Sequence, residues 1–132
     1  MKEIAGQKGP QSIAASHADL GERYLYCEGD AQLLFTDNET NTERIFGTHN
    51  VSPYVKDGIN NYVVNANANS VNADKTGTKS AAHYQLNVGA KKTATIRLRL
   101  SDAAPAVIGD PLKGFAGTMQ TRRREAISFT NP

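Results

Sequence analysis

The chain has 132 residues, 39% of them hydrophobic, with 15 Lys and Arg against 13 Asp and Glu. This length suits one domain with a buried core, leaves no room for two catalytic lobes, and offers no stretch near the ~20 apolar residues of a membrane span. Three of the cations are consecutive, Arg122, Arg123 and Arg124, and the other 12 face 13 anions, so the basicity is local and no nucleic-acid partner is expected.

Residues 1–11 hold Gly6, Gly9 and Pro10 among polar neighbours and read as a flexible leader, without the apolar core of a signal peptide. A cytoplasmic location is the resulting expectation. A β-domain is expected over residues 12–102. Residues 12–16 suit a short strand, and 17–21 a turn. Residues 24–28 and 32–36 are β-rich runs separated by Gly29-Asp30-Ala31, which predicts a hairpin. Cys27 falls in the first run and is expected as a buried structural thiol. As the single cysteine, it excludes an internal disulfide and any multi-cysteine zinc site.

The following stretch is polar throughout: Asp37, Asn38, Glu39, Thr40, Asn41, Thr42, Glu43, Arg44. It reads either as a solvated connection or as a set of carboxylates, amides and an arginine that anchors a partner surface. Pro53 suits a strand entry before Tyr54, Lys56 and Asp57. Residues 62–64, Tyr-Val-Val, read as a strand. Residues 65–79 are long for a loop in a compact domain, and they lack the glycine and lysine order of a phosphate loop.

Strict alternation marks residues 84–88 and 93–100, where Tyr84, Leu86, Val88 and then Ala94, Ile96, Leu98, Leu100 share one face. This predicts an antiparallel hairpin with one face in a core. The fold expected is all-β, an antiparallel β-sandwich, followed over residues 103–132 by a linker and one short C-terminal helix at about 118–128.

The chemistry legible in these segments is sparse. Sugar hydrolysis needs two opposed carboxylates, at least one of raised pKa, and Asp37, Glu39, Glu43 and Asp57 qualify by residue type alone. His17, His49 and His83 show no metal-ligand spacing, and no serine sits in a hydrolase elbow. No cofactor and no metal are expected. Trp is absent, which weighs against a free-standing sugar-binding module built on large aromatic platforms.

Longer words in the sequence carry a family resemblance. Residues 34–47 (LFTDNETNTERIFG), 52–58 (SPYVKDG) and 76–84 (TGTKSAAHY) closely resemble segments of large bacterial glycoside hydrolases related to mannosyl-oligosaccharide glucosidase, the processing α-glucosidase family. Residues 15–21, 26–29 and 97–101 are similar to it as well, so the likeness covers about residues 12–128. The resemblance implies an N-terminal β-sandwich, of the supersandwich kind, followed by an (α/α) toroid that holds the catalytic acid and base. This chain resembles the later part of that sandwich and none of the toroid, so no catalytic residue carries over and the chain alone is not expected to be an enzyme. Its ending, residues 127–132, departs from the family's continuation and suggests a truncated reading frame or a short mobile gene.

The resemblance places Asp37, Asn38, Glu39, Asn41, Arg44, Tyr54, Lys56 and Asp57 near the toroid interface or substrate entrance, as binding or interface residues. Two functions stay open: a non-catalytic domain fragment with a packing or assembly role, and an independent module that binds carbohydrate or protein through these loops. The partners implied are a catalytic toroid domain in trans, a carbohydrate, or a second copy joined through exposed sheet edges.

Overall fold

A computed structural model of the chain describes residues 1–4 and 10–130. Among these residues six strands form two antiparallel sheets. Strands β1 (Lys2–Ile4), β2 (Gln11–His17), β3 (Gly21–Cys27) and β6 (Leu98–Ser101) make a four-stranded sheet in the order β1-β2-β3-β6, and β4 (Gln32–Thr36) pairs with β5 (Lys79–His83).

The β2–β3 hairpin follows from its turn chemistry. Gly21 takes φ +67°, and the ring Nδ1 of His17 accepts hydrogen bonds from the backbone N–H of Asp19 at 3.2 Å and of Leu20 at 3.4 Å. The ring thereby satisfies turn amides that no strand partner reaches. Register then sets Ile13 opposite Leu25 and Gln11 opposite Cys27.

After Cys27 the chain leaves this sheet through Gly29, at φ +73°, and enters the second. The two β-rich runs expected as one hairpin therefore form strands that do not pair with each other. The hydrophobic core explains the separation. Ile13, Cys27, Ala31, Leu33 and Phe35 cluster together, with Leu25, Ala82 and Tyr84 packed against them, so both sheets contribute to one interior. Phe35 and Cys27 are fully buried, and burying a side chain the size of Phe35 contributes about 2–3 kcal/mol.

Strand β4 is apolar on both faces because both are covered. Leu33 and Phe35 point to the shared core; Gln32, Leu34 and Thr36 alternate to the other face. That outer face meets α2 (Gly58–Asn65). Gln32 Nε2 donates to the Tyr62 hydroxyl, and a Cβ on Gly58 would lie 3.2 Å from the Thr36 methyl and 2.1 Å from the Ser70 carbonyl oxygen. The strand expected at Tyr62, Val63 and Val64 is thus helical. Gly58 is buried and Ile59 and Tyr62 are half-buried, whereas Val63 and Val64 point to solvent, so packing on β4 overrides the strand preference of a β-branched pair.

Other expectations need correction. The leader is structured over Lys2–Ile4, where β1 pairs with β2 and Glu3 N–H donates to the Lys75 carbonyl at 3.1 Å. The rest of that expectation, on residues 5–9, lies outside the described residues. Residues 51–54 are a series of bends, so Pro53 opens no strand. The expected hairpin of residues 84–88 and 93–100 is absent among the described residues. Of it, β6 alone is a strand, and it pairs with β3. Nor is the chain all-β: helices α1 (Thr42–Phe46), α2, α3 (Pro105–Ile108) and α4 (Phe115–Thr130) join a 3-10 turn at Ala68–Ser70. Helix α4 includes the expected C-terminal helix, and none of its residues is buried.

Candidate functional site

The polar segments on either side of α1 form one hydrogen-bonded structure. Asn41 caps α1: its Oδ1 accepts from Arg44 N–H at 3.0 Å and from Asn50 Nδ2 at 3.1 Å. Its Nδ2 donates to both Asp57 carboxylate oxygens at 3.2 Å, and Arg44 Nη1 reaches Asp57 Oδ2 at 3.2 Å. The helix closes at Gly47, φ +67°, whose N–H bonds the Glu43 carbonyl; a left-handed residue there is the usual glycine terminus. Asn50 Oδ1 accepts from Glu43 N–H at 3.1 Å and from the Thr42 hydroxyl at 3.2 Å, tying the next loop to the helix start.

Asp37 anchors a second knot. Its Oδ2 accepts from the Ser52 hydroxyl at 2.6 Å, and its Oδ1 from Thr78 N–H at 3.3 Å. Asn38 N–H donates to Thr78 Oγ1 at 2.8 Å. Backbone bonds from Asp37 to Tyr54 and from Lys56 to Glu39 extend β4 past its end, and Lys79 Nζ donates to the Lys56 carbonyl at 2.6 Å.

All eight residues expected at a binding or interface site therefore lie in one region, with differing roles. Asp37, Asn41 and Asp57 are half-buried and hold backbone and side-chain donors. Arg44 is exposed but spends one donor on Asp57. The side chains of Asn38, Glu39, Tyr54 and Lys56 make no hydrogen bond among the described residues. Asn41, Arg44, Ile45, Lys56 and Asp57 line a depression of about 320 Å³. Ser52, Asn50 and Thr78 are network members that sequence reasoning missed. The Ser52-Pro53 pair held a signal: the Ser52 hydroxyl accepts from Tyr54 N–H at 3.2 Å, a side-chain turn of the kind serine makes. Asn50 and Thr78 gave none, since their partners come from other segments.

A second cluster joins the two sheets at β6. Arg97 binds Glu28 through Nε at 2.8 Å and through Nη2, and the Glu28 N–H donates to the Arg97 carbonyl at 3.0 Å. The Arg97 side-chain hydrogen bonds hold the Glu28 carboxyl below its ordinary range. Tyr84 donates to the Glu28 carbonyl at 2.8 Å. Burial pushes the Cys27 thiol up, so Cys27 sits as a protonated packing group. A groove of about 450 Å³ separates β6 from α4, lined by Leu98, Leu100, Pro111, Phe115 and Met119 among others.

Among the described residues no three His, Cys, Asp or Glu side chains converge to hold a metal ion, and no helix is long and apolar enough to cross a membrane. No family profile and no solved structure matches the chain. The chain is similar to the uncharacterized protein YMR196W of Saccharomyces cerevisiae, 36% identical over 75 residues. That stretch is 55% of this chain and 7% of the yeast protein.

Proposed function

We propose that the chain is a non-catalytic β-domain or domain fragment of the kind that precedes the toroid in α-glucosidase-type glycoside hydrolases, with a role in packing or assembly. The observation that carries this reading is the self-bonded state of the polar loops. The carboxylates of Asp37 and Asp57, two of the four that qualify by type for acid-base work, are taken up by Ser52, Thr78, Asn41 and Arg44. Carboxylates so engaged brace loops against one another, and catalysis would need one of them unbraced with a raised pKa.

The core shared between the sheets supports a sandwich arrangement, with α2 as a third layer over β4. The yeast similarity supports placing such sequence within a far longer protein. On this reading the partners are a toroid domain in trans or a second copy added at the open β6 edge, and the location is cytoplasmic. Purified protein is expected to release no product from an α-glucoside and to show no amide shift changes over residues 37–57 on titration with α-linked oligosaccharides. Turnover overturns the reading. Saturable shifts at Arg44 and Lys56 would favour the second reading, a carbohydrate-binding module, which the depression beside those two exposed cations supports.

A further inference from the structure

Strand β6 ends its sheet, with β3 as its one neighbour among the described strands. Register sets Leu98 opposite Cys27, Arg99 opposite Tyr26 and Leu100 opposite Leu25, and the rung before these is bonded, Glu28 N–H to the Arg97 carbonyl. Bonded and non-bonded rungs alternate in an antiparallel pair. Arg99 therefore bonds β3, while Leu98 and Leu100 turn their N–H and C=O groups outward, where no described residue takes them. Such a row is a template for one more strand. The groove beside α4 runs along this open edge. One wall is Leu98, Arg99 and Leu100, consecutive residues whose side chains alternate between the sheet faces, so the groove follows the edge and not a single face. The other wall includes Pro111, Lys113 and Phe115.

Apolar surface and charge both bear on what fills the groove. Leu98 and Leu100 share the core face with Cys27 and Leu25, their partners across the pair, yet they are 44% and 65% exposed where Cys27 is fully buried. On the other face Arg99 donates to the Pro111 carbonyl at 3.0 Å, and Lys113 is exposed. A shallow depression that shares Met119 with the groove adds Arg123, beside an Arg122 already held by Glu125 at 3.0 Å. Among the described residues no acid lines either hollow, and Asp110 spends its carboxylate on the Leu112 N–H at 2.9 Å. We propose that β6 accepts an extended acidic segment of another protein as a fifth strand, by β-augmentation. Its main chain bonds Leu98 and Leu100, its apolar side chains continue their row, and its alternating acids meet the cations of the groove. A second copy is the poorer occupant, because a two-fold pair of β6 strands sets Arg99 beside Arg99, and like charges across strands destabilise. The inference goes beyond the proposed function and does not rest on it: an acidic strand adds here whether or not its owner carries a toroid.

The test titrates the full chain at low salt with a capped peptide of alternating Glu and Val, and with its Lys and Val counterpart, reading backbone amides by NMR. The acidic peptide is expected to shift the Leu98 and Leu100 amides saturably and to protect both from hydrogen exchange, while the basic peptide does neither. The double variant Lys113→Glu with Arg123→Glu should bind the acidic peptide on the order of tenfold more weakly. Both positions are exposed, so circular dichroism should report its fold unchanged. Silence at β6 with millimolar acidic peptide overturns the proposal, as does equal binding of the two peptides or undiminished binding by the variant. Shifts on α4 that leave Leu98 and Leu100 unprotected would assign the groove to mere charge attraction and overturn it too. So would amides of Leu98 and Leu100 already protected in a dimer of the free chain, which would give the edge to a second copy.

Discussion

Gly77 lies with its Cα against the backbone of Thr36, at the end of β4. A methyl group there would come 2.3 Å from the Thr36 carbonyl oxygen and 2.8 Å from its carbon. Ordinary contacts at such atoms begin near 3.4 Å, so in Gly77→Ala the segment must retreat by about an ångström in a region of close packing. Retreat strains three bonds that leave this segment: Gly77 N–H to Met1 O at 3.1 Å, Thr78 N–H to Asp37 at 3.3 Å and Asn38 N–H to Thr78 at 2.8 Å. Overpacking of about 1–3 kcal/mol plus roughly one lost hydrogen bond gives a destabilisation of about 2–4 kcal/mol.

Gly117 provides the control. Nothing lies within 4 Å of its added Cβ, and it sits inside α4, so Gly117→Ala should strengthen the helix by about 0.5–1 kcal/mol. Urea unfolding followed by circular dichroism measures both. The Gly77 variant should lose about 1–2 M in midpoint at a slope of ~2 kcal/mol/M, while the Gly117 variant should gain helical signal. A Gly77→Ala protein within about 0.5 kcal/mol of wild type would show that the 72–78 segment does not rest on β4 as described.

Three further outcomes are expected. Asn41→Ala should cost about 1–2 kcal/mol through loss of the α1 cap, and Asn41→Asp, ordinarily a good cap, should also destabilise because it sets a carboxylate against Asp57; thermal melts of the two variants check this, and an Asp variant as stable as wild type would contradict it. Glu28 titrates lower folded than unfolded, so its pairing with Arg97 stabilises fully above the unfolded carboxyl pKa of about 4.3 and is lost as pH falls through the lower folded value. Glu28→Gln should therefore flatten the acid limb of a stability profile. Cys27 should resist thiol reagents at pH 8 in native protein and react once urea unfolds it, and rapid native labelling would contradict its burial.

Parts of this structure were legible from residue order alone. β2, β3 and β4 declare themselves through local apolar runs, because those runs meet the core that they anticipate, whereas the C-terminal helix forms where expected although none of its residues is buried. Pairing was not legible. The runs of β3 and β4 flank Gly29 as a hairpin would, yet β4 is apolar on both faces, and only a strand covered by Leu25 and Cys27 on one side and by α2 on the other satisfies that pattern. The alternation of Ala94, Ile96, Leu98 and Leu100 misleads, because all four residues are exposed and only residues 98–101 form a strand. Residues 98–101 find β3, tied by Arg97 to Glu28, while Leu86 and Val88 have no strand beside them and stay half-exposed. The proximity of the eight residues was legible, since two polar words, residues 37–44 and 54–57, carry them all. The site's wiring was not, because Asn50 and Ser52 fold back onto residues 7 and 15 positions earlier and Thr78 reaches Asn38 across 40 positions.

The account stands on residues 37–57 and 76–79 being one bonded structure rather than mobile loops awaiting a ligand. Hydrogen exchange at single amides tests it most directly. Asp37, Asn38, Arg44 and Lys56 donate within this structure, so their amides should exchange far more slowly than those of an open chain, with or without added oligosaccharide. Exchange at open-chain rates in the free protein, slowing when sugar is added, would contradict the account and make these loops a binding site that folds around its ligand.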